Sequence, residues 1–239
     1  MRVEWKVDPV VNRMLWERLS LRPKETMARI HPDFVLDLGG GSGDFASPLM
    51  EGGRTTVISL DTDLEVLKNR VEGVQAVLGD ATNLPFKDSS MDGVTARAIL
   101  HHFPGRMDEC LAEVKRVLRD EGLFLVQEPL AHNFFANMAR RYFSTERHEA
   151  GEQPLDPAHL YEAVNDQFSP EWKEHHFLLS YLLPHITYRV PGTLKGMARR
   201  FSRFATRLDE ALLGTMPGLR RYSAYMTILG RKASGLPGK

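Results

Sequence analysis

Three acidic residues and one run of glycines are the first features of this chain whose types and spacing can do chemistry. Asp37-Leu38-Gly39-Gly40-Gly41-Ser42-Gly43 closes the apolar run that starts at Phe34, Asp61 closes a second apolar run, and Asp80 follows a third in Leu78-Gly79-Asp80. Glycines at such a turn let the backbone curl tightly and let a ligand approach with no Cβ in the way. A helix expected over Asp44–Met50 would add unpaired N–H groups that suit a carboxylate or phosphate. Asp61, about 20 residues past the glycines with Thr62 beside it, suits a two-point grip on ribose hydroxyls. Asp80 suits the exocyclic amine of a base, with Ala81 next to it. Taken singly, each acid is also an ordinary solvated turn residue, and the glycines are also a tight turn. Their joint placement points to a nucleoside ligand, because open α/β sheets bind ligands outside the carboxyl ends of their strands.

The elements that must hold these residues follow from apolar periodicity. Pro9–Met27 has helical spacing, and Phe34–Leu38, Thr55–Leu60, Val74–Leu78, Met91–Ala96 and Leu123–Gln127 read as strands. Between them, Asp63–Val71 reads as a helix capped by Asp63, and Met107–Leu118 as an amphipathic helix closed by Gly122. Strands alternating with helices imply a doubly wound α/β fold with a mostly parallel sheet. Beyond Pro129 the alternation loosens. Leu130–Tyr142 and Pro157–Val164 look helical, and strands are expected over His176–Leu182 and Tyr222–Leu229.

Two registers of the glycine run suit two nucleoside cofactors. Gly41-Ser42-Gly43-Asp44-Phe45-Ala46 satisfies the dinucleotide pattern G-x-G-x-x-A, with Asp61 as the ribose acid. The other register reads Asp37-x-Gly39-x-Gly41-x-Gly43. In that register the chain resembles the class I S-adenosylmethionine-dependent methyltransferases over Phe34 to about Glu128. The matching stretches are Val35–Gly43, Ile58–Asp61, Leu78–Phe86, Asp92–Val94, Ile99–Phe103 and Ala112–Arg119, and together they look most like the small-molecule branch that includes quinone-biosynthesis enzymes.

The resemblance implies a single domain over 1–239, with a Rossmann-like seven-stranded sheet and a closing antiparallel strand at Tyr222–Leu229. It would comprise an N-terminal helical segment (1–32), a cofactor half (33–129) and helical acceptor caps (130–171 and 184–221). By the same resemblance, Asp37 and Gly39, Gly40, Gly41 and Gly43 hold the methionine end of S-adenosylmethionine, and Asp61 and Thr62 sit at the ribose. Asp80 and Ala81 sit at the adenine, and Ala96 and Arg97 line the pocket near the sulfonium. No metal is needed, since the sulfonium brings its own charge, and the product would be S-adenosylhomocysteine.

His101, His102 and Glu128 are the candidate catalytic residues, as a base or as acceptor-positioning groups. A packing pair of histidines and a structural hydrogen bond from Glu128 are the competing readings. His148, His159, His175, His176 and His185 match no zinc spacing. Cys110 has no partner in the sequence that would make it a nucleophile. Arg140, Arg141 and Tyr142 precede a candidate lid over Ser144–Gly151. No Tyr-x-x-x-Lys pair supports the alternative of an NAD-dependent oxidoreductase. A non-catalytic nucleotide-binding or membrane-docking module is the third reading.

The 239 residues are 42% hydrophobic, so the chain can bury a core, and 31 basic residues balance 31 acidic ones. That balance disfavours a globally basic nucleic-acid binder. One cysteine excludes an intrachain disulfide framework, and no apolar run approaches the roughly 20 residues of a membrane span. A cytoplasmic protein with a small-molecule or lipid-like acceptor is expected. From His185 onward, however, 11 Lys/Arg face 2 Asp/Glu. There, helix 194–212 is expected to pack Leu194, Met197, Ala198, Phe201, Phe204, Ala205, Leu208 and Leu212 inward as a cap, leaving Lys195, Arg199, Arg200, Arg203 and Arg207 in solvent. Peripheral membrane contact through this helix is the second reading, and RNA phosphates the third.

Overall fold

A computed structural model describes residues 6–143 and 154–234. The candidate lid at Ser144–Gly151 and His148 lie outside the described residues. Seven strands form one sheet in the order β3-β2-β1-β4-β5-β7-β6. They are β1 (Phe34–Leu38), β2 (Thr56–Asp61), β3 (Gln75–Leu78), β4 (Met91–Arg97), β5 (Leu118–Pro129), β6 (Ser169–His176) and β7 (Tyr225–Arg231). The first five are parallel neighbours in register, with Asp37 beside Ser59 on one side and Thr95 on the other. Strand β7 is antiparallel to β5: Glu121 and Gly122 bond to Lys232, and Gln127 bonds to Thr227. The expected doubly wound, mostly parallel sheet with an antiparallel strand near the C-terminus is therefore what the chain forms.

The helices are α1 (Pro9–Arg29), α2 (Leu64–Lys68), α3 (Met107–Val117), α4 (Phe134–Phe143), α5 (Pro157–Gln167), α6 (Leu183–Arg189) and α7 (Lys195–Thr215). The chain parts into two compact units. A sheet unit comprises 21–128, 158–173 and 227–239, and a helical unit comprises 1–20, 129–157 and 174–226. In the sheet unit, Val35, Val57, Leu123, Leu125 and Leu229 form the centre of a buried cluster with Met27, Phe45 and Val74. In the helical unit, Leu15, Leu19, Ala136, Phe177, Ala224 and Tyr225 form another. Among the described residues no helix is long and apolar enough to cross a membrane.

Four sequence expectations are corrected. The helix expected over Asp44–Met50 is only a 3-10 turn, Ser47–Met50, with Pro48 in its first turn. Gly122 does not close α3, which ends at Val117 and runs directly into β5. Met91 pairs with Leu118 but Gly93 pairs with Leu123, so residues 119–122 bulge out opposite Asp92 alone. A Cβ on Gly122 would lie 2.8 Å from the Arg119 carbonyl oxygen, which is why a glycine sits there.

The strand expected over His176–Leu182 instead runs from Ser169 to His176, and its residues Leu179–Leu183 turn into helix. Asp209 of α7 dictates that turn, its Oδ2 accepting from the Leu178 and Ser180 amides at 2.7 and 2.8 Å and from Ser180 Oγ at 2.6 Å. Finally, α7 buries Ser202, Ala205, Thr206, Asp209 and Leu213, leaving the row Leu194, Met197, Phe201, Phe204 and Leu208 at the surface. Of the expected inward face Ala205 is buried, but the large side chains from Leu194 to Leu208 face outward.

Candidate functional site

The end of β1 delivers Asp37 into the sheet interior, where it is 1% exposed. Thr95 Oγ1, from the neighbouring β4, donates to Asp37 Oδ1 at 2.7 Å. The other oxygen, Oδ2, is buried with no hydrogen-bond partner among the described residues. Burial pushes this carboxyl up to about 6, opposed by the Thr95 hydrogen bond and the Arg97 charge.

Directly above lies the glycine turn. A Cβ on Gly40 would come within 2.6 Å of Asp37 Oδ2, and one on Gly39, whose φ is +60°, within 2.5 Å of the Ile99 side chain. Backbone therefore meets carboxylate where any side chain would intrude. Gly41 and Gly43 complete the turn, and Ser59 Oγ donates to the Gly41 carbonyl at 2.9 Å.

Asp61, at the end of β2, is held in place by backbone. Its Oδ2 accepts from the Gly41 amide at 3.1 Å and its Oδ1 from the Asp63 amide at 2.9 Å. Each oxygen thus spends one acceptor site on the chain and has capacity to accept a second hydrogen bond. Thr62 beside it is exposed. Asp63 caps α2 as expected, accepting from Glu65 and Val66.

Asp80, after β3, is exposed, and its Oδ1 accepts from the Thr82 amide and hydroxyl, both at 2.9 Å. Those two bonds hold its carboxyl below the ordinary carboxylate range. The adjoining Ala81 is buried.

The loop 83–88 after Asp80 is pinned by residues whose role sequence reasoning missed. Arg116 donates to the Leu84 and Phe86 carbonyls at 2.9 and 2.8 Å and to Asp88 at 2.7 Å. Glu113 takes Arg116 Nε at 2.7 Å and the Leu84 amide at 2.7 Å. An acid and a base three apart on a helix was the available signal, but it reads equally as a solvated pair. Thr95 and Ser59 were missed as well, because a hydroxyl inside a strand carries no mark of its partner.

The candidates after β4 come together around Glu128. Ala96 is buried, and the Arg97 guanidinium lies 4.5 Å over the Phe45 ring. Ala98, with φ +54°, turns the chain sharply into the 3-10 turn Leu100–His102. Glu128, 0% exposed, accepts the Ile99 and Leu100 amides on Oε1, both at 2.8 Å, and meets His101 Nδ1 with Oε2 at 2.8 Å. An ionised carboxylate can only accept, so Nδ1 is the donor of this bond and Nε2 is the ring nitrogen not engaged by Glu128. The His102 ring stacks at a tilt on His101, 4.3 Å between centroids.

Cys110 is fully buried, and its thiol is pushed up to about 12 by burial and by neighbouring acids, so it is inert. No group of three or more metal-ligating side chains occurs among the described residues. His175 and His176 sit at the end of β6, and burial lowers His176 to about 4.

Residues 36–126, which contain every residue above from Asp37 to Arg116, match the family model described as a methyltransferase domain. Over these residues the chain is similar to that family. It is similar to the demethylmenaquinone methyltransferase of Thermotoga maritima, with 32% identity over 143 residues, 55% of this chain and 60% of that one. It is also similar to the fatty-acid O-methyltransferase of Mycolicibacterium smegmatis, with 38% identity over 97 residues, 38% of this chain and 35% of that one. The chain thus spans less than two thirds of the length of either relative.

A solved structure of the geranyl diphosphate C-methyltransferase from Streptomyces coelicolor, in complex with Mg2+, geranyl diphosphate and S-adenosylhomocysteine, shares the fold. Its TM-score is 0.56 at 12% identity, covering 91% of this chain and 80% of that one. The glycine turn fails the structural requirement of the dinucleotide register. That pattern needs a helix opening directly behind the glycines to face a pyrophosphate, and only the short 3-10 turn stands there.

Proposed function

We propose that the chain is an S-adenosylmethionine-dependent methyltransferase acting on a small-molecule or lipid-like acceptor. The observation that carries this reading is the buried, unpartnered Asp37 Oδ2 beneath a glycine turn, in line with carboxylates at the ends of β2 and β3. These residues fit the cofactor's chemistry: a cationic methionine end over Asp37 and Gly39–Gly43, a ribose diol at Asp61 and Thr62, and an adenine amine at Asp80 with Ala81 beside the ring. The bound cofactor supplies an electrophilic methyl group on a positive sulfur. The protein's part is to place that methyl in line with an acceptor and to exclude water, which needs no metal.

Ala96 and Arg97 line the methyl end, with Arg97 kept against Phe45. Glu128 acts as a positioning residue, fixing the turn that presents His101 and leaving Nε2 able to take a proton from an acceptor hydroxyl. His102 supports the ring. Acceptor choice belongs to segments 130–171 and 184–221, and peripheral membrane contact to helix 194–212.

Quinone and fatty-acid enzymes among the relatives set the first acceptors to try. Incubation with methyl-labelled cofactor and panels of hydroquinones, phenols, fatty acids and NADH-coupled carbonyl substrates tests the reading. Label in an acceptor supports it, and hydride transfer without methyl transfer would replace it.

A further inference from the structure

The row Leu194, Met197, Phe201, Phe204 and Leu208 lies on α7 and the residue just before it, with each member 46% to 68% exposed. It extends about 21 Å at helical rise. Stable monomers seldom leave so continuous an apolar row in water. On one flank, roughly 100° round the helix from Phe201, stand Arg200 and Arg207, with Arg203 beyond them. All three are exposed and make no ion pair among the described residues.

Apart from Lys195, whose Nζ lies 5.9 Å from the Tyr188 ring centroid, the other charged residues of the helix are already engaged. Arg199 pairs with the buried Asp8 at 2.9 Å, Asp209 is spent on the Leu178–Ser180 turn, and Glu210 pairs with Arg18. The exposed surface of α7 therefore combines an apolar row with positive charge and no unpaired acid.

We propose that α7 docks this chain on an anionic lipid surface, with Phe201 and Phe204 entering the headgroup–acyl boundary and Arg200, Arg203 and Arg207 meeting lipid phosphates. Helices of this kind lie in the interface plane, and long arginine stems reach back to the headgroups. The spacing of three and four along the row also suits a second copy of the helix. Charge decides against that occupant, since two such faces would bring unpaired arginines together with no acid between them. RNA would use the arginines but leave the apolar row in water. Docking of this kind does not require the methyl-transfer reading to be right.

The full chain is sedimented with vesicles of phosphatidylcholine alone and of phosphatidylcholine mixed with phosphatidylglycerol. The expected result is retention on the anionic vesicles only, released by salt. The double variant F201S/F204S should bind them roughly tenfold or more weakly. The triple variant R200Q/R203Q/R207Q should lose the preference for anionic vesicles. Circular dichroism and S-adenosylhomocysteine titration verify that both variants stay folded, and keep the two proposals separable. Equal binding by F201S/F204S and the parent chain, or no binding of the parent to either vesicle, overturns the proposal. A concentration-dependent dimer that F201S/F204S abolishes, with no vesicle binding, assigns the row to a second copy and overturns it too.

Discussion

Phe124 on β5 and Phe201 on α7 are the same side chain with opposite fates, 0% exposed in the sheet unit and 52% exposed in the helical unit. The difference extends beyond this pair. Among the described residues, the large exposed apolar side chains of the sheet unit are Leu21, Phe34, Leu64 and Leu78, whereas the helical unit has twelve. The sheet unit turns its apolar residues inward and spends its unusual polar groups, Asp37 and Glu128, inside. The helical unit has its own apolar cluster, adds buried polar pairs such as Asp209 with Ser180 and Thr187 with Ser202, and still shows apolar surface outside. Burial of hydrophobic area explains the first pattern as stability. The second has no stabilising explanation within the chain and points to a surface it meets.

The largest expected effect that would sharpen this contrast is in the sheet core. Phe124 packs 5.0 Å from the Phe168 ring, so Phe124→Ala should lose about 3–5 kcal/mol in chemical denaturation. A loss below 1 kcal/mol would break the contrast. Next is Asp61→Ala, which removes a carboxylate that the fold holds through only two amides. Cofactor-product affinity should fall roughly 10- to 100-fold, with little change in melting temperature. Equal affinity would mean that the ribose has another holder.

One buried group in each unit titrates in a sense opposite to the other. Asp37, raised from 3.8 to about 6, binds a proton more readily folded than unfolded, so its contribution makes stability fall as pH rises through that window. His176, lowered from 6.5 to about 4, holds fewer protons when folded, so its contribution makes stability rise as pH climbs across its own window. Each contribution is on the order of 3 kcal/mol. Calorimetric melting against pH should show Asp37→Asn removing the fall and His176→Gln removing the rise. An unchanged profile in either variant contradicts the assignment for that group. The smallest effect is Phe201→Ser, which should change unfolding free energy by no more than about 0.5 kcal/mol. A large loss would mean that the residue packs within the chain after all.

The parts of the fold legible in the sequence were those governed by local pattern. Val35–Leu38 is a buried strand because its apolar run can be nothing else before four glycines, and Asp63 caps α2 through contacts two and three residues away. What failed was governed at a distance. Ser169–His176 has no apolar run, only alternating half-buried positions, while the apolar Leu178–Leu183 is folded into helix by Asp209, some 30 residues further along. The outward roll of α7 is of the same kind. The helical period of its apolar residues was readable, but which arc is buried is set by Ser202 and Asp209 finding partners on other elements. In the site, the acids were readable from their positions at strand ends. Thr95, Ser59, Glu113 and Arg116 were not, because their roles depend on which strand or loop lies beside them.

The most direct test is a calorimetric titration of the full chain with S-adenosylhomocysteine and, separately, with NAD. The account predicts saturable binding of the first, weakened by Asp61→Ala, and none of the second. Binding of NAD with no heat from S-adenosylhomocysteine would contradict it.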